Sequence, residues 1–153
     1  RDERLAQTVI GPNYQMNGGN WKNRRPDIVG GAAVSGYQII KFSEDCTSKN
    51  GQANNENSLP VFRYAEVLLN YAEAKAELGE ITDDDWSKTI GDIRRRAGFD
   101  ENPGVTSSLP ATVDKYLQET FYPTVSDPVI LEIRRERAIE LCLEGYRSDD
   151  LRR

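Results

Sequence analysis

The chain has no histidine, and that single absence removes more chemistry than any other feature of its composition. Histidine is the commonest general base near neutral pH and the commonest metal ligand. Ser-His-Asp and Cys-His catalysis and His-ligated zinc are therefore excluded within this chain. Cysteine is nearly as scarce. Cys46 sits in a polar stretch and Cys142 in an apolar one, too few for a disulfide framework and wrongly spaced for zinc. Cys142 reads as a buried small hydrophobe. Long apolar runs are also missing, since none exceeds triplets such as Val67-Leu68-Leu69 or Val129-Ile130-Leu131, far short of the roughly 20 residues that cross a bilayer. Positive charge is outnumbered: 20 basic against 25 acidic residues give a net charge of −5, and the pI near 4.9 disfavours a nucleic-acid or anionic-membrane footprint. No cofactor or metal is implied.

What remains is ordinary for one globular domain: 153 residues, 37% hydrophobic, 12 glycines. The chain begins at Arg1 without methionine and ends on Leu151-Arg152-Arg153, and so reads as a piece of something longer, with missing targeting signals carrying no information. Its texture divides in two. Residues 1–58 hold seven of the glycines and eight asparagines, including the turn signals Gly11-Pro12-Asn13 and Gly18-Gly19-Asn20-Trp21, and predict a loop-rich segment. A short strand is expected at Tyr37–Phe42, where apolar and polar residues alternate, and a polar surface loop at 47–58.

Residues 59–153 read as helical. Tyr64, Leu68, Tyr71 and Leu78 recur at helical spacing, and Ala65, Leu69, Ala72 and Ala76 repeat it on another face, so a helix covered on two sides and ended by Gly79 is predicted. A second helix is announced by Thr82 and Asp83-Asp84-Asp85, carries Trp86, Ile90, Ile93 and Ala97 on one stripe, and closes at Gly98. The pair covers 62–97, close to the roughly 34 residues of a tetratricopeptide hairpin. A Pro-, Ser- and Thr-rich connection at 103–126 has a short helix near 111–121, and Asp127-Pro128 caps a third long helix. On that helix Ile130, Leu131, Ala138, Leu141, Cys142 and Gly145 share an arc with Arg134 in its middle, while Val129, Ile133 and Arg137 share another with Glu140 and Glu144. Charges on covered faces must be paired. Arg134, Arg137 and Glu140 are accordingly read as a structural ion network, with Glu66 or Glu73 as the carboxylate facing Arg134. The same run read as a catalytic carboxylate cluster needs a cleft that spacing does not reveal.

Asp83-Asp84-Asp85 lacks the alternate spacing of a calcium loop and reads as a helix cap. A glycosidase carboxylate pair needs no sequence motif and has no positive support. Trp21, with Tyr14, Asn20 and Arg24 around it, is the candidate ligand-binding group, because an indole stacks on a sugar ring while amides and guanidinium bond its hydroxyls. The alternative is that Trp21 anchors its loop to the core.

Two blocks carry a resemblance: Pro60-Val61-Phe62-Arg63-Tyr64-Ala65-Glu66-Val67-Leu68-Leu69-Asn70-Tyr71-Ala72-Glu73-Ala74, and Glu132-Ile133-Arg134-Arg135-Glu136-Arg137-Ala138-Ile139-Glu140-Leu141 continuing through Glu144-Gly145-Tyr146-Arg147-Ser148-Asp149-Asp150-Leu151-Arg152-Arg153. Together they resemble the SusD/RagB family; Arg1–Leu5 and Ile93–Gly98 are similar to further stretches of it. The resemblance implies a mainly α fold, with a tetratricopeptide-like helix hairpin scaffold and a loop-rich N-terminal half. It also implies a cell-surface lipoprotein of the bacterial outer membrane, non-enzymatic, that binds an oligosaccharide, polysaccharide or other nutrient and partners a SusC-type TonB-dependent transporter. The lipid anchor would lie outside this chain. The competing readings are a helical-repeat interaction module without a small ligand and a secreted glycoside hydrolase. Exposed aromatics on the loops of 11–42 favour the first reading, smooth polar loops the second, and a cleft with two carboxylates the third.

Overall fold

A computed structural model describes residues 2–16, 21–22, 36–44, 56–58, 60–99 and 103–152. The chain is mainly α-helical and divides into two compact units, a loop-rich one, Glu3–Val61, and a helical one that includes Phe62–Arg153.

In the loop-rich unit, α1 (Arg4–Thr8) is a single short helix whose Thr8 hydroxyl donates back to the Arg4 carbonyl at 2.8 Å. β1 (Gln15–Met16) and β2 (Trp21–Lys22) pair antiparallel, Met16 opposite Trp21. The strand expected at Tyr37–Phe42 is reduced to one bridge, Val9 with Ile39, flanked by bonds from Ile10 N–H to Gln38 and from Ile40 N–H to Thr8. The chain turns at once afterwards. Phe42 adopts φ 64°, a left-handed conformation rare for a bulky residue, and the Asn57 amide donates to its carbonyl.

The helical unit is built around α2 (Tyr64–Glu77). Its end follows from Gly79: at φ 69° the glycine turns the chain so that Glu80 N–H reaches the Lys75 carbonyl and Gly79 N–H reaches Ala76, closing the last turn. Thr82 then caps α3 (Asp83–Trp86) reciprocally, its hydroxyl accepting from Asp85 N–H while the Asp85 carboxylate accepts from Thr82 N–H, each at 3.1 Å. The Thr82 hydroxyl, which also donates to the Asp85 carboxylate at 2.7 Å, and then the Thr82 N–H hold the Asp85 carboxyl below its ordinary range. The helix continues through a π turn, Ser87–Gly91, into α4 (Asp92–Arg96). Gly91 sits inside that turn for a steric reason. A Cβ there would lie 2.1 Å from the Thr106 carbonyl oxygen, so only glycine lets α5 (Pro103–Thr106) press against the turn. After α6 (Lys115–Phe121), Asp127 caps α7 (Pro128–Glu140) through Val129 and Ile130 N–H, and α8 (Arg147–Asp150) follows.

α2 packs on α7 and on the π turn, and the core formed there holds Leu69, Ala72, Ala76, Trp86, Ile90, Ile93, Ile133 and Leu141. Two expectations are corrected. α2 is covered on its alanine side, and of the other face Leu68 packs against the core while Tyr64 and Leu78 remain 74% and 70% exposed. α7 stops at Glu140 because Leu143 and Gly145 take positive φ, so the arc drawn through Cys142 does not exist and Cys142 is exposed.

Candidate functional site

Charged groups inside the helical unit are held in three clusters. At the start of α2, Arg63 forks onto the C-terminal end of α7: Nε and Nη2 each meet a Glu144 oxygen, at 2.8 and 2.7 Å, Nη1 meets the Glu140 carboxylate at 2.5 Å, and Nη2 also donates to the Glu140 carbonyl. Arg96 reaches the same Glu140 oxygen. Burial pushes the Glu140 carboxyl up, but the hydrogen bonds from Arg63 and Arg96 outweigh it and hold the group below its ordinary value. In the second cluster Arg94 donates to Glu136 and Glu132, both at 2.8 Å, and lies over the Trp86 ring at 5.5 Å. In the third, Arg137 donates to Asp150 at 2.7 Å and to Asn70 at 2.6 Å and lies over Tyr146.

Arg134 is placed differently from the rest. It is largely covered and stacks on Tyr122 at 5.8 Å, yet its Nε is buried without a hydrogen-bond partner. Glu66 instead accepts from the Tyr146 hydroxyl at 2.7 Å, and a carboxylate in ion-pair range of Arg134 is the half-exposed Glu77 at 3.8 Å. Glu73 lines the same cleft as Arg134, Arg137, Tyr122 and Asp150, but the cleft has no room even for water and so holds no small ligand.

Sequence spacing missed Arg94 and Glu136, the latter 1% exposed. The available signal was the stripe Ile90, Ile93, Ala97, since Arg94 follows Ile90 by four residues and precedes Ala97 by three, on the covered side of the same helix.

In the loop-rich unit, Trp21 belongs to the β1–β2 ladder, and Tyr14, half-buried, precedes it with its N–H on the Gly11 carbonyl. Asn20 and Arg24 lie outside the described residues, as does Cys46. Among the described residues of 11–42, Tyr37 is 69% and Phe42 43% exposed, and the Lys41 ammonium stands 5.6 Å from the Phe42 ring. The described part of these loops is therefore not smooth and polar. An exposed ring with a cation beside it can stack on the apolar face of a sugar and bond its edge. Among the described residues no group of three or more acidic or cysteine side chains is placed to hold a metal ion. No helix among them is long and apolar enough to cross a membrane.

No curated protein and no solved structure matches the chain. A family model described as the SusD family matches residues 1–153, the whole sequence, and the chain belongs to that family.

Proposed function

We propose that this chain binds glycan through its loop-rich segment and hands it to a SusC-type TonB-dependent transporter in the bacterial outer membrane, with the helical unit as scaffold. The observation that carries the reading is the family match over 1–153; membership implies a non-enzymatic glycan-binding role at the cell surface and an outer-membrane lipoprotein context. The finer assignments are ours. Trp21 is the stacking anchor, Tyr14 extends the apolar surface, and Asn20 and Arg24 supply donors for sugar hydroxyls. Arg134, Arg137, Glu140, Glu66 and Glu73 belong to the scaffold and hold α2 and α7 in place. α2 with the α3–α4 run is a tetratricopeptide-like hairpin. Support for ligand contact in this segment comes from exposed Tyr37 and Phe42 in the same unit.

A glycan-array screen followed by calorimetry tests the reading. Trp21→Ala is expected to lower affinity by about 2 kcal/mol or more while changing the melting temperature little. Unchanged affinity sinks the assignment of Trp21. The second reading, a helical interaction module, is favoured by the bare face of α2, where Tyr64 and Leu78 are exposed.

A further inference from the structure

The segment 37–42 turns apolar side chains outward. Bonds from Ile10 N–H to the Gln38 carbonyl and from Ile40 N–H to Thr8 hold it beside Val9, so that alternate residues face opposite ways. Polar members of such a segment ordinarily take the side toward water. Here Tyr37 and Ile39 are exposed, while Gln38 and Ile40 are partly covered. The chain then turns on Phe42. Ser43 N–H bonds the Ile40 carbonyl at 2.9 Å, and Phe42, third of these four residues, has φ 64° while Lys41 before it keeps a negative φ. That is the form of a type II turn, whose third position takes glycine or asparagine because a Cβ is crowded there. Phenylalanine is held in it against its own preference, by the turn bond and by the Asn57 amide on its carbonyl. Backbone strain of this kind gathers at ligand clamps.

We propose that Phe42 is a stacking platform for a neutral sugar ring in its own right, besides Trp21, with Tyr37 and Ile39 extending the apolar surface; the proposal rests on the glycan-binding reading above. The turn fixes where the side chain leaves the backbone. The Lys41 ammonium stands over the ring at 5.6 Å and restrains it further, and Phe42 still leaves 43% of itself in water. A ring held in place before the sugar arrives need not be ordered by binding, which is what a strained turn supplies and a flexible loop does not. The apolar C–H face of a pyranose matches such a ring, and the hydroxyls at its edge stay toward water and polar neighbours. Charge suits a neutral ligand, because Lys41 and Glu44 flank Phe42 in the chain and offset each other.

Calorimetric titration of the full chain with malto-, cello-, xylo- and mannohexaose should show binding of at least one of them. Phe42→Leu keeps an apolar side chain at the turn without a ring face and should weaken that binding about tenfold or more. Phe42→Asn should weaken it as much while lowering the melting temperature by no more than about 4 °C, since asparagine accepts a positive φ and the released strain offsets the lost packing. Phe42→Trp should keep the affinity, a rescue that a residue wedged into packing does not give. Tyr116→Ala, at an exposed ring on α6, should leave binding unchanged. A Phe42→Leu chain that binds as tightly as the parent overturns the platform, and if Trp21→Ala still abolishes binding the glycan reading stands without it. A Phe42→Trp chain that binds no better than Phe42→Leu, or a larger fall in melting temperature for Phe42→Asn, makes Phe42 a packing residue and overturns the proposal as well. So does a parent chain that binds none of the four hexasaccharides, whereas only an empty glycan array removes the glycan reading with it.

Discussion

Removing the Arg94 guanidinium should be among the most damaging side-chain changes in the helical unit. Arg94 places Nε on Glu136 and Nη2 on Glu132 and donates through Nη1 to the Val105 carbonyl at 3.1 Å, while its plane covers Trp86. Arg94→Met keeps most of the apolar stem over Trp86 but takes the compensating charge from Glu136, which is 1% exposed. Breaking a buried pair from one side costs about 3–5 kcal/mol. The lower end applies, because Glu132 keeps Arg135 at 2.8 Å. Urea unfolding followed by circular dichroism should show a loss of about 3 kcal/mol with unchanged m-value, and the melting temperature should fall by roughly 6–12 °C for a chain of this size. Arg94→Met with Glu136→Met removes both charges, and replacing a whole pair by apolar groups is close to neutral. The double variant should therefore recover most of the loss, a coupling of about 2 kcal/mol. A single variant costing less than about 1 kcal/mol, or a double variant whose loss is the sum of the singles, would refute the reasoning.

Three further outcomes follow from named contacts. Gly91→Ala forces a Cβ onto the Thr106 carbonyl and should cost about 1–3 kcal/mol with loss of α5 docking, read as faster amide exchange in 104–106. Glu140 has a folded-state pKa below its ordinary 4.5, so its stabilisation is present above that value and is lost as pH falls through the folded pKa. Glu140→Gln should lower the urea midpoint at pH 7 and flatten its decline below about pH 4.5; an acid limb as steep as in the parent chain counts against the Arg63 cluster. Arg134→Met should change stability by less than about 1 kcal/mol, since its Nε has no partner and its ion pair, with half-exposed Glu77, is long at 3.8 Å, whereas Arg137→Met should cost about 3 kcal/mol. Equal losses for the two contradict the assignment.

Helix ends were the most legible features. Gly79, Thr82 with Asp85, and Asp127-Pro128 act through bonds to neighbours within a few residues, so their effect is written locally. The end of α7 was missed because Leu143, with its positive φ, carries no glycine-like signal. The strand expected at Tyr37–Phe42 is not formed: alternation marks a strand only where a partner runs alongside, and among the described residues only Val9 does.

Sequence alone determined the exclusion of histidine chemistry, the division into a glycine- and asparagine-rich part and a helical part, the membership of α2, α3–α4 and α7, and the family resemblance. These depend on composition, local bonding and period. Only the tertiary structure decided which face of α2 is covered and which carboxylate each arginine meets. Periodicity shows that a face is apolar without showing whether another element reaches it, and Tyr64 and Leu69 look alike on a helical wheel although one is 74% exposed and the other 0%. Partner choice is likewise non-local. Arg63 and Glu144 stand 81 residues apart in the chain and 2.7 Å apart in space, and no spacing rule joins them, because the fold of everything between them sets that distance.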